Sequence, residues 1–315
     1  MKKTALLIPL VALGLLASCG GSSSSEINIG VCQLATHEAL DAATRGFKET
    51  LEKEFGNKVN VEVQVAAGDP ATCSTIVNNF VSKKKDLIMA NATPAVQSAA
   101  QATSTIPILG TSVTEYGVAL DIPNFSGVTG INVSGTSDLA PLKEQAKMIT
   151  EVFPRAQKVG LFYCSAEANS KYQIDEVERE LTKYSVETTR ISFSDSNDIA
   201  SVLNANLSKV DLIYIPTDNK AADNAQIIND ICLAAKKPVF AGEENMCKTC
   251  GAITLSIDYY NIGVKTGLMA IDILKNGANI KTMPIAYDES PVKKFNKAIC
   301  EELGINVPSD YQEIK

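Results

Sequence analysis

Two stretches of the chain, DLIMANATPAVQS at residues 86–98 and DLIYIPTDNKAAD at residues 211–223, follow one pattern. Each opens Asp-Leu-Ile in apolar company and breaks into a short loop with hydroxyl or amide side chains and a proline. Each then continues in alanine-rich, helix-compatible sequence. A short apolar run bounded by such a loop reads as a strand buried on both faces, and the helix after it as the crossover to a parallel neighbour. Building this junction twice predicts two similar α/β lobes.

The segments around the two copies extend the pattern. INIGVCQ (27–33) precedes a helix at 37–55, and VNVEVQVAA (59–67) precedes one at 70–84. DLIMA (86–90) leads to a helix at 94–103, with IPILGTSV (106–113) and GVTGINV (127–133) as further strands. The alternation restarts with a helix at 138–152, strand 158–164, helix 169–184, strand 186–193 and helix 197–208. Strand 211–216, helix 220–235 and strands 238–242 and 252–257 complete it. Such alternation argues for parallel sheets covered by helices on both faces, in two runs that change over near residues 134–136.

The tail holds a helix at 259–276, MPIAY (283–287), a short helix at 293–302 and LGINVPSD (303–310), too little for a third domain. It is expected to return the helix to the first lobe and the last segments to the second. The lobes are then 27–134 plus 258–281 and 135–257 plus 282–315, joined by a three-segment hinge. Ligands of open α/β sheets bind beyond the carboxyl ends of the strands, so two lobes facing each other there enclose a cleft.

The first residues, MKKTALLIPLVALGLLASCG, carry a lysine pair, an apolar run and small residues before Cys19. This is a secretory signal over 1–18, too short to span as a helix. Leu16-Ala17-Ser18-Cys19 resembles a bacterial lipobox, which implies a lipid-modified Cys19 at the head of a flexible tether, 19–26. The net charge of -7 grows more negative when Lys2 and Lys3 leave with the signal, and it argues against nucleic acid as a partner. Seven cysteines follow Cys19. Most sit in apolar surroundings as small core residues, and Cys247-Lys248-Thr249-Cys250 is the one close pair. With a single histidine in the chain, that pair is weak evidence for a metal. A structural disulfide and free thiols both stay open, and no cofactor is expected.

HEALDAATRGF (37–47), KKKDLIMANATPAVQSAA (83–100), IPILGTSVTEY (106–116), GVTGINVSG (127–135) and KVGLFYCSAEANS (158–170) carry a resemblance. So do VDLIYIPTDN (210–219), GAITLSIDYYNIGVKTG (251–267) and LGINVPSD (303–310). Together they resemble the solute-binding lipoproteins of ABC transporters, in the tryptophan/tyrosine-binding branch. The resemblance implies the type I periplasmic-binding-protein fold: two Rossmann-like lobes on a three-segment hinge. The family usually has His-Pro where this chain has His37-Glu38, and Asp-Pro where it has Glu115-Tyr116.

A free amino acid needs donors for its carboxylate, a carboxylate for its ammonium and an apolar slot for its ring. Thr93 and Thr114 follow first-lobe strands, and Ser165 and Asn169 hold the corresponding place in the second; each is also a plausible helix cap. Thr217, Asp218 and Asn219 end the second copy of the repeat, and Asp218 is the first choice for the ammonium, ahead of Glu243 and Asp258. Gln33, Thr36 and His37 lie past the first strand. Tyr116 is the preferred ring partner, with Phe125, Tyr163, Tyr259 and Tyr260 as others, and Glu115 is a spare acceptor beside it. No nucleophile motif accompanies His37, so no enzyme is expected. The expected function is that of a monomeric, lipid-anchored protein on the extracytoplasmic face. It captures an aromatic amino acid, tyrosine before tryptophan or phenylalanine, for the permease of an ABC importer. Membrane contact is through the anchor alone. A surface adhesin or ligand sensor on the same fold is the alternative.

Overall fold

Both copies of Asp-Leu-Ile become inner strands of parallel sheets. The computed structural model describes residues 26–288 and 291–315; the expected signal, Cys19 and all but the end of the tether lie outside them. The first lobe runs β1 (Ile27–Gln33), α1 (Glu38–Phe55), β2 (Val59–Val65), α2 (Pro70–Ser82), β3 (Leu87–Asn91), α3 (Thr93–Ala102), β4 (Ile108–Val113), α4 (Tyr116–Ala119) and β5 (Val133–Ser137). The second runs α5 (Leu142–Val152), β6 (Lys158–Cys164), α6 (Ala168–Lys183), β7 (Glu187–Phe193), α7 (Ile199–Asn206), β8 (Leu212–Ile215), α8 (Asn219–Asp223), α9 (Ala225–Ala234), β9 (Val239–Ala241), α10 (Glu244–Thr249) and β10 (Ile253–Ser256). The tail adds α11 (Tyr259–Leu274), β11 (Ala286–Tyr287), β12 (Val292–Phe295), α12 (Lys297–Leu303) and β13 (Gln312–Glu313).

The sheets are ordered β2-β1-β3-β4-β5-β11 and β7-β6-β8-β9-β10-β12-β13. Every neighbouring pair is parallel except β10 with β12. Each lobe thus repeats the doubly wound order 2-1-3-4-5, with a topological switch beside its first strand. Apolar clusters lie on both faces of each sheet. Phe80 and Val96 belong to one face of the first and Phe47 and Met89 to the other; Phe162 and Ile228 belong to one face of the second and Leu161 and Tyr214 to the other.

Several boundaries differ from expectation for local reasons. GVTGINV is not a strand, because Gly127 (φ 92°) and Gly130 (φ 75°) turn the chain there. The strand is VSGTS, whose Thr136 hydroxyl is satisfied by neighbouring threonines: its Oγ1 lies 3.1 Å from Thr111 Oγ1 in β4 and 2.8 Å from Thr266 Oγ1 in the helix that packs on the sheet. The first lobe therefore keeps residues 135–137, and β11 beside β5 returns Ala286–Tyr287 to it as well. The expected helix at 293–302 opens as β12, which pairs with β10. The expected helix at 220–235 is interrupted at Asn224, and α10 was not foreseen. The seven cysteines of the described residues are buried free thiols. Burial pushes Cys247 and Cys250 well up, so that neither is a ready thiolate.

Helix α11 crosses from the second sheet and lies against α1 at backbone contact. A Cβ on Gly263 would meet the Ala43 carbonyl oxygen at 2.0 Å, and one on Gly46 would meet that of Tyr260 at 2.2 Å. Overpacking such a contact costs about 1–3 kcal/mol. Gly263→Ala is expected to lower the unfolding free energy by about that amount in urea titration. An unchanged midpoint would mean that the helices are free to separate.

Candidate functional site

The carboxyl ends of both sheets face each other, and between them lies a narrow cavity, partly open to solvent. From the first lobe come His37, Ala39 and Leu40 at the start of α1, and Ser112 and Thr114 at the end of β4. Asn169, Thr217, Asp218, Asn219, Ala222, Glu243 and Met246 come from the second. Asp138 and Tyr259, on the first two passages between the lobes, close the side. Tyr259 donates to Asp138 Oδ2 at 2.9 Å and Thr114 Oγ1 donates to Asp138 Oδ1 at 3.1 Å, so the hinge is itself part of the wall.

Each second-lobe acid is placed by a helix start. Asp218 caps α8, accepting from Ala221 N at 2.8 Å, and its other oxygen accepts from Cys164 N at 2.6 Å. Glu243 caps α10 through Asn245 N at 2.7 Å and through Met246 N. Capping aims a carboxylate along the helix axis at the strand ends, which is where the cleft is. Glu167, buried beneath, accepts from Asn219 N, Asn219 Nδ2 and Lys220 N at 3.1, 2.7 and 3.0 Å, fixing the Asn219 side chain.

The lining holds three buried carboxylates and neither lysine nor arginine. Burial pushes Asp138 up to about 6 and Glu243 up to about 7. Asp218 is also raised to about 7, by burial first and by the neighbouring Glu167 second. Two polar atoms in the lining are buried without a hydrogen-bond partner among the described residues: Ser112 Oγ and Asn169 Oδ1. Ser112 sits in a β-bulge between β4 and β5 at φ 53°, and Ala92, at the end of β3, lies at φ 91°. Strained backbone beside a cleft is a mark of a binding site.

Of the residues singled out from sequence, His37, Thr114, Asn169, Thr217, Asp218, Asn219 and Glu243 come together here. Gln33 is turned inward, where it donates to Ala35 O and Asp41 and accepts from Thr44. Thr36 is exposed in the loop before α1, and Thr93 is buried in the first turn of α3, outside the lining. Glu115 caps α4 through Val118 N at 2.5 Å. Tyr116 is a core residue whose hydroxyl donates to Thr136 O at 3.0 Å; its ring is spent on sheet packing and cannot stack on a ligand. Ser165 is exposed and donates to Phe193 O. Asp258 caps α11 at the second passage. Phe125 and Tyr163 pack in the cores, and Tyr260 donates to Glu49, leaving Tyr259 as the ring in the wall. Ser112 and Asp138 were not foreseen. Ser112 sits in the bulge that ends β4, and Asp138 just past β5, a hydroxyl-rich strand with little apolar signature.

The lobes touch across the cleft. His37 Nε2 lies 3.4 Å from Asn219 Oδ1, and Gln173 Nε2 lies 3.5 Å from Thr114 Oγ1. The Asn245 amide, oriented to suit its neighbours, donates to Glu38 at 2.9 Å and accepts from Ala39 N at 3.3 Å.

The three lining acids bind protons more readily in the folded chain, at about 6 to 7, than at ordinary carboxylate values near 4. Stability is therefore expected to fall as pH rises through that window. His37, lowered by burial, opposes this with a single proton. Glu62, held at about 2 by Lys83 and Lys85, titrates below the window. Calorimetric melting of the unliganded protein should give a lower midpoint at about pH 8 than at about pH 5.5, and Asp218→Asn should flatten the difference. A midpoint that rises with pH contradicts the assignment.

Residues 28–312 match the family model for ABC transporter substrate binding protein. The chain is 33% identical over 277 residues to a tyrosine-binding protein of Clostridioides difficile, covering 86% of this chain and 79% of that protein. A Streptococcus pneumonia domain solved in complex with L-Trp superposes with a TM-score of 0.88 at 30% identity, over 92% of this chain and 100% of that one. A ligand-free, open substrate-binding protein with adhesive properties from Clostridium difficile gives 0.70 at 34% identity, over 91% and 99%.

Proposed function

Since the chain belongs to the family of ABC transporter substrate-binding proteins, we propose that its cavity captures an aromatic amino acid for a cognate permease. Tyrosine comes first, then tryptophan or phenylalanine. The observation that carries this reading is the charge of the cavity: three buried carboxylates with neither lysine nor arginine beside them, the one histidine, His37, being held toward its neutral form by burial. An ammonium group supplies the missing positive charge. Ala39, Leu40, Ala222, Met246 and the Tyr259 ring offer an apolar slot beside those acids, suited to an aromatic side chain. His37 and Asn219 add polar groups to the same wall, and a phenolic hydroxyl left unpaired would cost roughly 1–3 kcal/mol. The tyrosine-binding relative and the tryptophan complex agree with this substrate class. The closer superposition on that complex than on the open relative agrees with the hydrogen bonds between the lobes, as of a closed clamp.

Calorimetric titration with the twenty amino acids is expected to show micromolar or tighter binding of tyrosine, and binding of no aromatic amino acid would refute the substrate. Asp218→Asn, which removes the charge and keeps an acceptor for one of the two backbone N–H groups that Asp218 serves, should weaken tyrosine at least tenfold, in line with a charge-assisted hydrogen bond. Asp218→Ala is the poorer test, because it also strips partners from Cys164 N and Ala221 N.

The reading extends to the N-terminus, where Cys19 carries lipid and residues 20–26 tether the lobes to the extracytoplasmic face. Cells fed labelled palmitate should label the wild-type protein and leave Cys19→Ser unlabelled in the culture medium. Equal labelling of both would remove the anchor from this account.

A further inference from the structure

Apart from Asp138 at the hinge, whose two oxygens are taken up by Tyr259 and Thr114, the wall of the cavity separates its hydrogen-bond acceptors from its donors. On the second lobe, Asn169 Nδ2 is committed to Glu167 Oε2 at 3.1 Å and Thr217 O at 3.0 Å, which fixes the amide orientation. Its Oδ1 is left as a buried acceptor with no partner among the described residues, in a side chain only 5% exposed. Asp218 stands in the same lining, and the nearby starts of α8 and α10 are already capped by Asp218 and Glu243. That side calls for a donor and has little to offer an anion.

The first lobe is the reverse. Helix α1, 18 residues long, carries no side-chain cap, and its first-turn residues Ala39 and Leu40 line the cavity. Ala39 N is engaged by Asn245, while Leu40 N has no hydrogen-bond partner among the described residues. The acids of that turn are held sideways, Glu38 by Asn245 and Asp41 by Gln33 Nε2 at 2.6 Å. Ser112, 6% exposed and in the same lining, holds a buried hydroxyl with no partner among the described residues. An uncapped helix start beside a spare hydroxyl is a carboxylate seat.

We propose that the amino acid lies across the cleft, its carboxylate on the first lobe at Ser112 Oγ and the start of α1, and its ammonium on the second at Asn169 Oδ1 and Asp218. This rests on the reading of the cavity as an amino-acid site. Its consequence is a division of labour between the two ends of the ligand. Each end holds one lobe, so only a molecule with both ends draws the lobes together. An aromatic amine without a carboxylate occupies the second lobe and leaves the clamp open, and a carboxamide in place of the carboxylate behaves like the amine.

The test compares L-tyrosine, L-tyrosine amide and tyramine by calorimetry, and their effect on the radius of gyration by small-angle scattering. The mature wild-type protein and the variants Ser112→Ala and Ser112→Gly are used, the glycine variant relieving the left-handed backbone at that position. Tyrosine should compact the wild type while tyramine does not. Both variants should lose about ten- to a hundredfold in tyrosine affinity, as for a hydrogen bond to a charged group, with tyramine unchanged within about twofold. A wild type that binds tyrosine, with variants that lose tyrosine and tyramine alike or lose neither, overturns the orientation alone. Compaction by tyramine equal to that by tyrosine does the same. A wild type that binds none of the aromatic amino acids overturns the substrate reading and the orientation with it.

Discussion

The chain passes between its two sheets three times, and this constraint governs the rest of the molecule. After β5 it leaves the first sheet, after β10 it returns as α11, and after β11 it leaves again. Three covalent passages on one side hold the carboxyl ends of both sheets toward each other and allow little beyond rotation about the hinge. The passages also furnish the wall: Asp138 lies on the first and Tyr259 on the second, hydrogen-bonded to one another. Opening the lobes and reshaping the cavity are therefore one motion. The glycine contact between α1 and α11 adds rigidity, because it fastens the second passage to the helix whose first turn lines the cleft.

Much of this was legible in the residues. Repeated strand, loop and helix signatures gave both lobes, and the second copy of the repeat gave Thr217, Asp218 and Asn219 in the cavity. The first copy misled, and loop length explains why. Three residues, Pro216 to Asp218, separate β8 from α8, long enough to carry side chains out over the strand ends. Only Ala92 separates β3 from α3, so Thr93 is drawn into the helix and buried. Two junctions that look alike as strings differ in reach.

The other misses share a cause. Apolar runs mark strands because burial is driven by apolar surface, and β5 has little. Its hydroxyl groups are satisfied by threonines of β4 and α11 and by the backbone, a solution that composition does not reveal. Missing β5 displaced the first lobe boundary and concealed Asp138 just beyond it. Tyr116 failed in the opposite sense. A tyrosine near a cleft suggests a ring for the ligand, yet its hydroxyl found a carbonyl deep in the sheet, and that bond fixed the ring in the core.

The contact of Asn245 with Glu38 and Ala39 has a kinetic side. It joins the rims of the clamp without lining the cavity, so once a two-ended cargo has drawn the lobes together it adds a hold on the closed form that the cargo itself does not supply. Release then requires the breaking of these protein contacts as well as the departure of the amino acid from its own. A membrane partner that pried α10 from the start of α1 would empty the cavity from outside, acting on the latch instead of competing with the cargo.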